Sequence, residues 1–305
     1  MDEQDDTWLL VLNPVSGRGA GLRDRHRIEA ALGAQRISFR TAVSERAGHT
    51  VALVAQAVAA GCRRVVVAGG DGSLNEAANG ILRQDRALAE SVRLALIPLG
   101  TGNDWARSRA VAPDYGVCAA ILASGCTSRQ DVGVIDFADG TRRFFVNVAG
   151  AGFDAGVIER MPSRRLGRLA YVVGLLRGLA AYRPVPLLWR SEGRQDGAEA
   201  FVMFACIGRH CGGGMLVAPD ASDTDARLNL VLIRHMGRLE VLRSLPRLFD
   251  GSIYRHGRVT HWTAARIELL GPPGTSVEAD GELVGRLPAT VSVWPLALQV
   301  AVPPS

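Results

Sequence analysis

Over the first 130 residues, short apolar or β-branched runs alternate with segments of helical spacing. A β-α-β-α order of this kind forms a parallel sheet with helices on both faces. The alternation therefore predicts an α/β domain over residues 1–130. The predicted strands are WLLVL (8–12), ISFRT (37–41), RRVVVA (63–68) and VRLALI (92–97), and the predicted helices cover 22–32, 49–60 and 74–83.

After about residue 131 the pattern changes to strand-like runs separated by Gly, Pro and Asp turns. We predict a second, mostly β domain over residues 131–305, because a chain of 305 residues suits two domains. The runs are VGVIDF, RRFFVNVA, PLLWRS, AFVMFACIG, LNLVLI, ARIELL, SVEADGE and TVSVWPL.

Composition argues against a membrane-spanning or disulfide-bonded protein. The N-terminus is acidic, and no window approaches the eighteen or more uninterrupted apolar residues that a membrane span needs. Five cysteines at irregular spacing do not form an obvious disulfide framework and favour a reducing compartment. We therefore expect a cytoplasmic protein.

All 35 basic residues of the chain are arginine, so the sequence contains no lysine. The lack of lysine excludes a Walker A phosphate lysine, a pyridoxal Schiff base and a lysine general base. The pI of about 9.3 suits an anionic partner, either a nucleic acid or an acidic membrane surface. A solvated arginine-rich surface accounts for the same charge equally well.

Three predicted strands are followed by loops rich in glycine, hydroxyl and amide groups: NPVSGRGAG, GGDGSLNE and PLGTGNDWAR. Parallel strands deliver such loops to one edge of the sheet, where open α/β folds bind ligands. Glycine lets backbone N–H groups approach phosphate oxygens, and Asp71 supplies a carboxylate for Mg²⁺. Any one such loop is equally well a tight connection, but three together predict a triphosphate and metal site.

These motifs, in this order, resemble the diacylglycerol kinase catalytic-domain family, in the bacterial lipid kinase branch related to sphingosine kinases. The resemblance continues through GGGMLVAPDA, DARLNLVLI and VEADGELVG, so it covers nearly the whole chain. It implies an α/β Rossmann-like N-terminal domain and a mostly β, sandwich-like C-terminal domain, as in NAD kinases and diacylglycerol kinases. The active site of the family lies in the cleft between the two domains.

The resemblance also implies roles for individual residues. Asp71 corresponds to the central acidic group for metal and phosphate, and Glu282 to the base that takes the proton from the lipid hydroxyl. Asp280 is the next candidate for that base. The residues implied to contact ATP are Asn13, Pro14, Val15, Ser16, Gly17, Thr41, Gly69, Gly70, Asp71, Gly72, Ser73, Leu74, Asn75 and Thr101.

Two departures from the family pattern matter. Ser73 replaces the usual threonine and keeps its hydroxyl, so function should survive. Relatives often bind a structural Mg²⁺ through an aspartate and two main-chain carbonyls, at positions matching Ser222, Asp225 and Arg227. Here Ala226 replaces a glycine and disfavours positive φ, and Arg227 brings a cation close, so this second metal site is left open.

Three classes of function remain from the sequence. The first is an ATP- and Mg²⁺-dependent kinase of a membrane lipid, with phospholipid biosynthesis as its context, a lipid surface as its partner and no nucleic acid. The second is a kinase of a soluble acceptor such as NAD, and the third is a nucleotide-binding regulator without turnover. A homodimer is left open. Residues 164–183 have a basic, apolar helical pattern that suits peripheral contact with the inner membrane face or packing within the protein.

Overall fold

The computed structural model describes residues 6–100, 102–153, 155–156 and 184–304. The chain divides into two compact units: unit 1 comprises residues 1–130 and 296–305, and unit 2 comprises residues 131–295. Within the described residues, no helix has both the length and the apolar character needed to cross a membrane. The predicted helix at 164–183 lies outside the described residues.

Unit 1 contains a parallel sheet and seven described helices. The strands are β1 (Trp8–Leu12), β2 (Phe39–Val43), β3 (Arg64–Gly69) and β4 (Arg93–Pro98). The helices are α1 (Ser16–Arg23), α2 (Arg25–Ala34), α3 (His49–Ala59), α4 (Asp71–Leu82), α5 (Arg86–Ser91), α6 (Asp104–Ser108) and α7 (Tyr115–Ser124). The predicted parallel α/β architecture is confirmed.

The sheet of unit 1 has the order β2-β1-β3-β4, with every pair parallel. The chain leaves β1 towards β2 on one side and leaves β3 towards β4 on the other. Since parallel crossovers are right-handed, the two connections lie on opposite faces, and a topological switch point falls between β1 and β3. Both strands are almost wholly buried, as continuous apolar runs in a doubly covered sheet should be.

Residues 296–305 lie in unit 1, although the sequence interpretation placed them in the second domain. The cause is β17 (Ala289–Ala301), a long strand whose last part pairs in parallel with β4 through Gln299 and Val300. A similar strand, β5 (Thr127–Phe137), leaves unit 1 at residue 130.

Unit 2 is mostly β, as predicted. Its further strands are β6 (Arg142–Phe145), β7 (Val148–Gly152), β8 (Val185–Ser191), β9 (Arg194–Cys206), β10 (His210–Cys211), β11 (Met215–Leu216), β12 (Leu228–Arg234), β13 (Val259–Ala264), β14 (Arg266–Leu270), β15 (Ser276–Ala279) and β16 (Glu282–Arg286). Its described helices are α8 (Arg238–Ser244), α9 (Arg247–Asp250) and a short 3₁₀ helix (Ser252–Arg255).

Two sheet layers of unit 2 share the long strand β9. Its second half lies between β7 and β12 in the layer β16-β15-β7-β9-β12-β13, and its first half pairs with β8 in the layer β9-β8-β14-β17-β5-β6. Alternate residues of both layers bury one core, which includes Phe145, Leu187, Met203, Leu230 and Ile267. This alternation is the pattern of a β-sandwich.

Candidate functional site

The loops that follow β1, β3 and β4 meet at the carboxyl edge of the unit 1 sheet. The side-chain amide of Asn13 donates a hydrogen bond to the Ser73 hydroxyl at 2.7 Å, across the switch point between β1 and β3. Backbone contacts join the third loop to the other two, through Gly70 and Gly100 and through Gly17 and Leu99. The predicted convergence of the three loops is therefore observed.

Close packing between the loops explains several of their glycines. A Cβ atom on Gly17 would lie 2.3 Å from the carbonyl oxygen of Leu99, and one on Gly100 would lie 2.8 Å from the Cα of Gly70. Gly17 also has a φ of 59°, which favours glycine. These glycines are required by the approach of one loop to another, in addition to any approach of a ligand.

Helix α4 begins three residues earlier than the sequence predicted. Asp71, Gly72 and Ser73 form its first turn, and the first intrahelical bond joins Leu74 N to the carbonyl oxygen of Gly70. The N–H groups of a first helical turn have no intrahelical acceptor and lie at the positive end of the helix dipole. In a helix of 12 residues, this end is well suited to phosphate oxygens.

Asp71 has a structural role at the same edge. Its two carboxylate oxygens accept hydrogen bonds from the backbone N–H groups of Asp104 (3.1 Å) and Trp105 (3.0 Å), at the start of α6. Glu76, one turn further along α4, binds the start of α3 in the same way through Gly48 and Thr50. Each bond leaves lone pairs on the Asp71 carboxylate, so the capping role is compatible with a metal or water ligand.

Asn103 belongs to this edge and was missed in the sequence-based assignment. Among the described residues, its side-chain oxygen is buried without a hydrogen-bond partner, and it lies 2.6 Å from the position of a Cβ on Gly100. A buried orphan oxygen is costly unless a donor or a cation reaches it. The signal was available, because Asn103 and Asp104 directly follow the last glycine of the third loop, PLGTGNDWAR.

The other predicted nucleotide residues have varied settings. Val15 is exposed, Leu74 and Asn75 are buried in α4, and the Asn75 side-chain oxygen accepts a hydrogen bond from Asn79. Thr41, in β2, donates to the Glu29 carboxylate at 2.9 Å. Burial would raise the pKa of Glu29, but hydrogen bonds from Arg25 and Thr41 together outweigh it and hold that pKa below its ordinary value. Thr101 lies outside the described residues.

In unit 2, Asp280 anchors the turn that precedes Glu282. Its carboxylate accepts hydrogen bonds from three consecutive backbone N–H groups, those of Val146 (2.8 Å), Asn147 (3.0 Å) and Val148 (3.0 Å). Its backbone N–H also donates to the Val148 carbonyl. These contacts commit both Asp280 oxygens to the loop between β6 and β7, so a role as the proton acceptor fits Asp280 poorly.

Glu282 begins strand β16 directly after that turn. Asp280 and Gly281 both have positive φ, 48° and 83°, which is the geometry of a two-residue hairpin turn. Glu282 pairs with Ala279 across the hairpin and is half-buried. The buried Glu278 tightens the same turn by accepting a hydrogen bond from Gly281 N at 3.0 Å. The carboxylate of Glu282 is thus carried on a turn held at several points.

The loop with the proposed structural metal residues keeps the positive φ at Ala226, and its Arg227 side chain is engaged by other groups. Ala226 adopts a φ of 60° despite its side chain, and its N–H donates to the buried Asp131 carboxylate at 2.6 Å. The Arg227 guanidinium donates to Glu192 and Thr263. Asp225 accepts from Arg227 N, and its exposed carboxylate keeps lone pairs available. Asp225 therefore still offers carboxylate oxygens to a cation, and the metal site at Ser222, Asp225 and Arg227 remains a prediction.

Within the described part of the chain, no group of three or more His, Cys, Asp or Glu side chains is arranged to hold a metal ion. Any Mg²⁺ site here would therefore rely on one or two carboxylates together with backbone carbonyls, water or phosphate. This is the usual way in which proteins bind that ion.

Comparison with protein families gives two matches. The diacylglycerol kinase catalytic domain matches residues 7–135, and the YegS C-terminal NAD kinase beta sandwich-like domain matches residues 147–302. The two matched segments correspond to the α/β part and the β part of the chain. The fold class predicted from the sequence is therefore confirmed.

Individual proteins give the same result. The chain is 33% identical to the diacylglycerol kinase of Mycobacterium tuberculosis H37Rv over 298 residues, which cover 96% of this chain and 94% of that protein. It is 27% identical over 302 residues to a Yersinia enterocolitica protein named "Probable lipid kinase YegS-like", covering 97% of each. A crystal structure of a diacylglycerol kinase from Bacillus anthracis shares the fold, with a TM-score of 0.76, 19% identity and 99% coverage of both chains.

Proposed function

The chain belongs to the diacylglycerol kinase catalytic-domain family, and from this premise we propose that it is an ATP-dependent lipid kinase. It transfers the γ-phosphoryl group of ATP to a hydroxyl of a membrane lipid such as diacylglycerol or a sphingoid base. The observation that carries the proposal is the meeting of three loops around the first turn of α4.

The nucleotide part of the proposal rests on the edge of the unit 1 sheet. The free N–H groups of the first α4 turn bind phosphate oxygens, and the Asn13–Ser73 hydrogen bond fixes the two loops beside them. The buried side-chain oxygen of Asn103 accepts a hydrogen bond from the ligand or binds the cation of the ligand. Bound MgATP supplies the transferable phosphoryl group and the cation that offsets its negative charge.

Asp71 is the acidic group closest to this phosphate site along the chain. Its carboxylate is held in place by the N–H groups of Asp104 and Trp105, so its remaining lone pairs have a fixed direction. A preorganised carboxylate binds a cation without the cost of ordering its side chain. We assign Asp71 to hold Mg²⁺, directly or through water.

Glu282 is the proposed general base. An alcohol is a poor nucleophile at neutral pH, and a carboxylate that takes its proton during attack on phosphorus assists the reaction. The Asp280 contacts with the 146–148 loop hold the turn that carries Glu282. Asp280 is therefore assigned as a positioning residue.

The acceptor class is proposed from the names of the relatives, which include diacylglycerol kinases and a lipid kinase. A lipid acceptor implies a protein that works at a membrane surface, on its cytoplasmic face. Residues 164–183 are one candidate for that contact, and their basic, apolar pattern remains a prediction.

The proposal is tested by incubating the protein with labelled ATP, Mg²⁺ and extracted lipids, and in parallel with NAD. Thin-layer separation should show the label in lipid. Label in NADP would instead assign a soluble acceptor, and label in neither product would favour a non-catalytic nucleotide-binding protein. Mass spectrometry of a co-purified lipid would then identify the acceptor class.

A further inference from the structure

Helices α8 and α9 of unit 2 have an apolar face that points to solvent. Leu239 is 59% exposed, Leu242 41% and Phe249 60%. Leu245 and Pro246, which join the two helices, both have helical backbone angles, so helical spacing continues through the junction. Leu239, Leu242, Pro246 and Phe249 therefore form one stripe, at intervals of three, four and three residues.

The opposite face of the same helices is already buried. Val241 packs into the apolar cluster on the outer side of β9 and β12, together with Met236 and the partly buried Leu248. A surface helix needs one apolar stripe to hold it on the protein. The exposed stripe is thus a second one, and fold stability does not account for it.

Arginines surround the exposed stripe. Residues 238–258 contain five arginines and two acidic residues. Both acidic side chains interact within the segment. Glu240 Oε1 lies 3.6 Å from Arg258 Nε, and the Asp250 carboxylate accepts a hydrogen bond from Ser252 N at 2.8 Å. The surface therefore combines projecting Leu and Phe side chains with a net positive charge.

The docking surface, defined as the Leu239, Leu242 and Phe249 stripe with Arg238, Arg243 and Arg247, is connected to the Glu282 turn within unit 2. Helix α9 packs against β11, which pairs with β10. The carbonyl oxygen of His210 in β10 accepts a hydrogen bond from the Asn147 side chain, and the backbone N–H of Asn147 donates to Asp280.

We propose that this docking surface inserts into the headgroup region of an anionic bilayer and so presents lipid to unit 2, an inference that rests on the proposed lipid kinase function. Apolar side chains surrounded by arginine match the boundary between acyl chains and anionic headgroups. A two-fold dimer through the same surface would bring the arginines of both copies together, which is unfavourable.

The test is sedimentation with phosphatidylcholine vesicles that contain or lack phosphatidylglycerol. The parent should bind only the anionic vesicles. The pair Arg243→Gln and Arg247→Gln should weaken binding about 25-fold, at about fivefold per arginine. The triple variant Leu239→Ser, Leu242→Ser and Phe249→Ser should weaken it by more than about tenfold.

Matched controls are Arg194→Gln with Arg266→Gln, and Val117→Ser with Leu188→Ser, since these residues are exposed in other parts of the chain. The controls should bind vesicles as the parent does, and thermal unfolding should show all variants folded. Equal binding by the docking-surface variants and the parent would overturn the proposal. The proposal would also fail if binding were lost only in a variant with Arg164, Arg165 and Arg168 changed to glutamine. It would fail as well if the parent were a dimer that the triple variant dissociates without losing vesicle binding.

A second assay separates this inference from the proposed function. With a short-chain diacylglycerol dissolved as monomers, the docking-surface variants should keep the kcat/KM of the parent, because no membrane is involved. If neither the parent nor any variant phosphorylates a lipid, the proposed function fails. The vesicle result would still decide whether the docking surface binds a membrane.

Discussion

Asn13 and Ser73, 60 residues apart in the chain, are joined by a hydrogen bond of 2.7 Å between the side-chain amide and the hydroxyl. The bond crosses the switch point of the unit 1 sheet, where the loop after β1 meets the first turn of α4. Asn13 also accepts a hydrogen bond from Val15 N, so one side chain orders its own loop and the neighbouring one.

Breaking this bond should loosen the nucleotide site. Ser73→Ala should lower stability by about 1 kcal/mol and weaken ATP binding, whereas Ser73→Thr keeps the hydroxyl and should retain both. A double-mutant cycle with Asn13→Ala should give a coupling energy of about 1 kcal/mol. Ser124→Ala, which removes a hydroxyl bonded to a helix carbonyl, is the control and should leave ATP affinity unchanged. Additive effects of the two site variants would contradict the linkage.

Asp71 should show a catalytic effect beyond its structural one. Asp71→Asn keeps an oxygen that can cap α6 but loses the charge that holds Mg²⁺, so kcat should fall by at least about a hundredfold with a modest loss of stability. Asp71→Ala should abolish transfer. Glu76→Gln is a matched control, because Glu76 caps α3 from the same helix through two similar bonds. Turnover of Asp71→Ala within a few-fold of the parent would remove Asp71 from the reaction.

The sequence predicted the buried strands of unit 1 well, because strands covered on both faces need continuous apolar runs. The predicted bounds of β1, β3 and β4 differ from the structure by at most one residue at each end. The start of α4 was missed, since Gly, Asp and Ser have low helix propensity and suggest a turn. Helix α6 was also missed. Its five residues follow Asn103 in a left-handed conformation, and Asp71, more than 30 residues away, caps it.

In unit 2 the interpretation of SVEADGE as one strand was wrong, because residues 276–282 contain all of β15, a two-residue turn and the first residue of β16. The Asp-Gly pair between alternating residues is a known hairpin signal and was available. The three hydrogen bonds that Asp280 accepts had no such signal. Their donors lie 132 to 134 residues away, and only the tertiary structure brings them to the carboxylate.

Glu282 and Asp280 should differ in how their loss affects the enzyme. Glu282→Gln should keep ATP binding and stability but lose about a hundredfold or more in kcat, as expected for a lost general base. Asp280→Asn should lower the free energy of unfolding by about 2 kcal/mol, because hydrogen bonds from several N–H groups to a charged acceptor are strong. Asparagine tolerates the positive φ of this position, so the loss reports on the hydrogen bonds and not on backbone strain. Glu199→Gln, in an exposed position of β9, is the control. Unchanged kcat in Glu282→Gln would place the base on another residue.

Thr41 should affect stability in a pH-dependent way. Thr41→Val removes the hydroxyl that binds Glu29, at a cost of about 1 kcal/mol near neutral pH. The pKa of Glu29 is lowered in the folded protein, so the stabilisation is present above the unfolded pKa and is lost as the pH falls through the folded value. The difference in the free energy of unfolding between Thr41→Val and the parent should therefore become smaller in acid. It should also be smaller when both carry Glu29→Gln. Chemical denaturation from acidic to neutral pH measures this difference. If Thr41→Val instead lowers ATP affinity without any loss of stability, the role of Thr41 is direct contact with the nucleotide.

Ala226 should be a strained position. Its φ of 60° lies in the left-handed region, which costs a residue with a Cβ about 1 kcal/mol or more. Glycine removes this strain but gives the unfolded chain more freedom, which offsets part of the gain. Ala226→Gly should therefore stabilise the protein by about 0.5 kcal/mol, measured by thermal or denaturant unfolding. Ala110→Gly, at a φ of 55° in unit 1, is a matched control with a similar expected gain. A destabilised Ala226→Gly alongside a stabilised Ala110→Gly would mean that the Ala226 methyl group makes a contact worth more than its backbone strain.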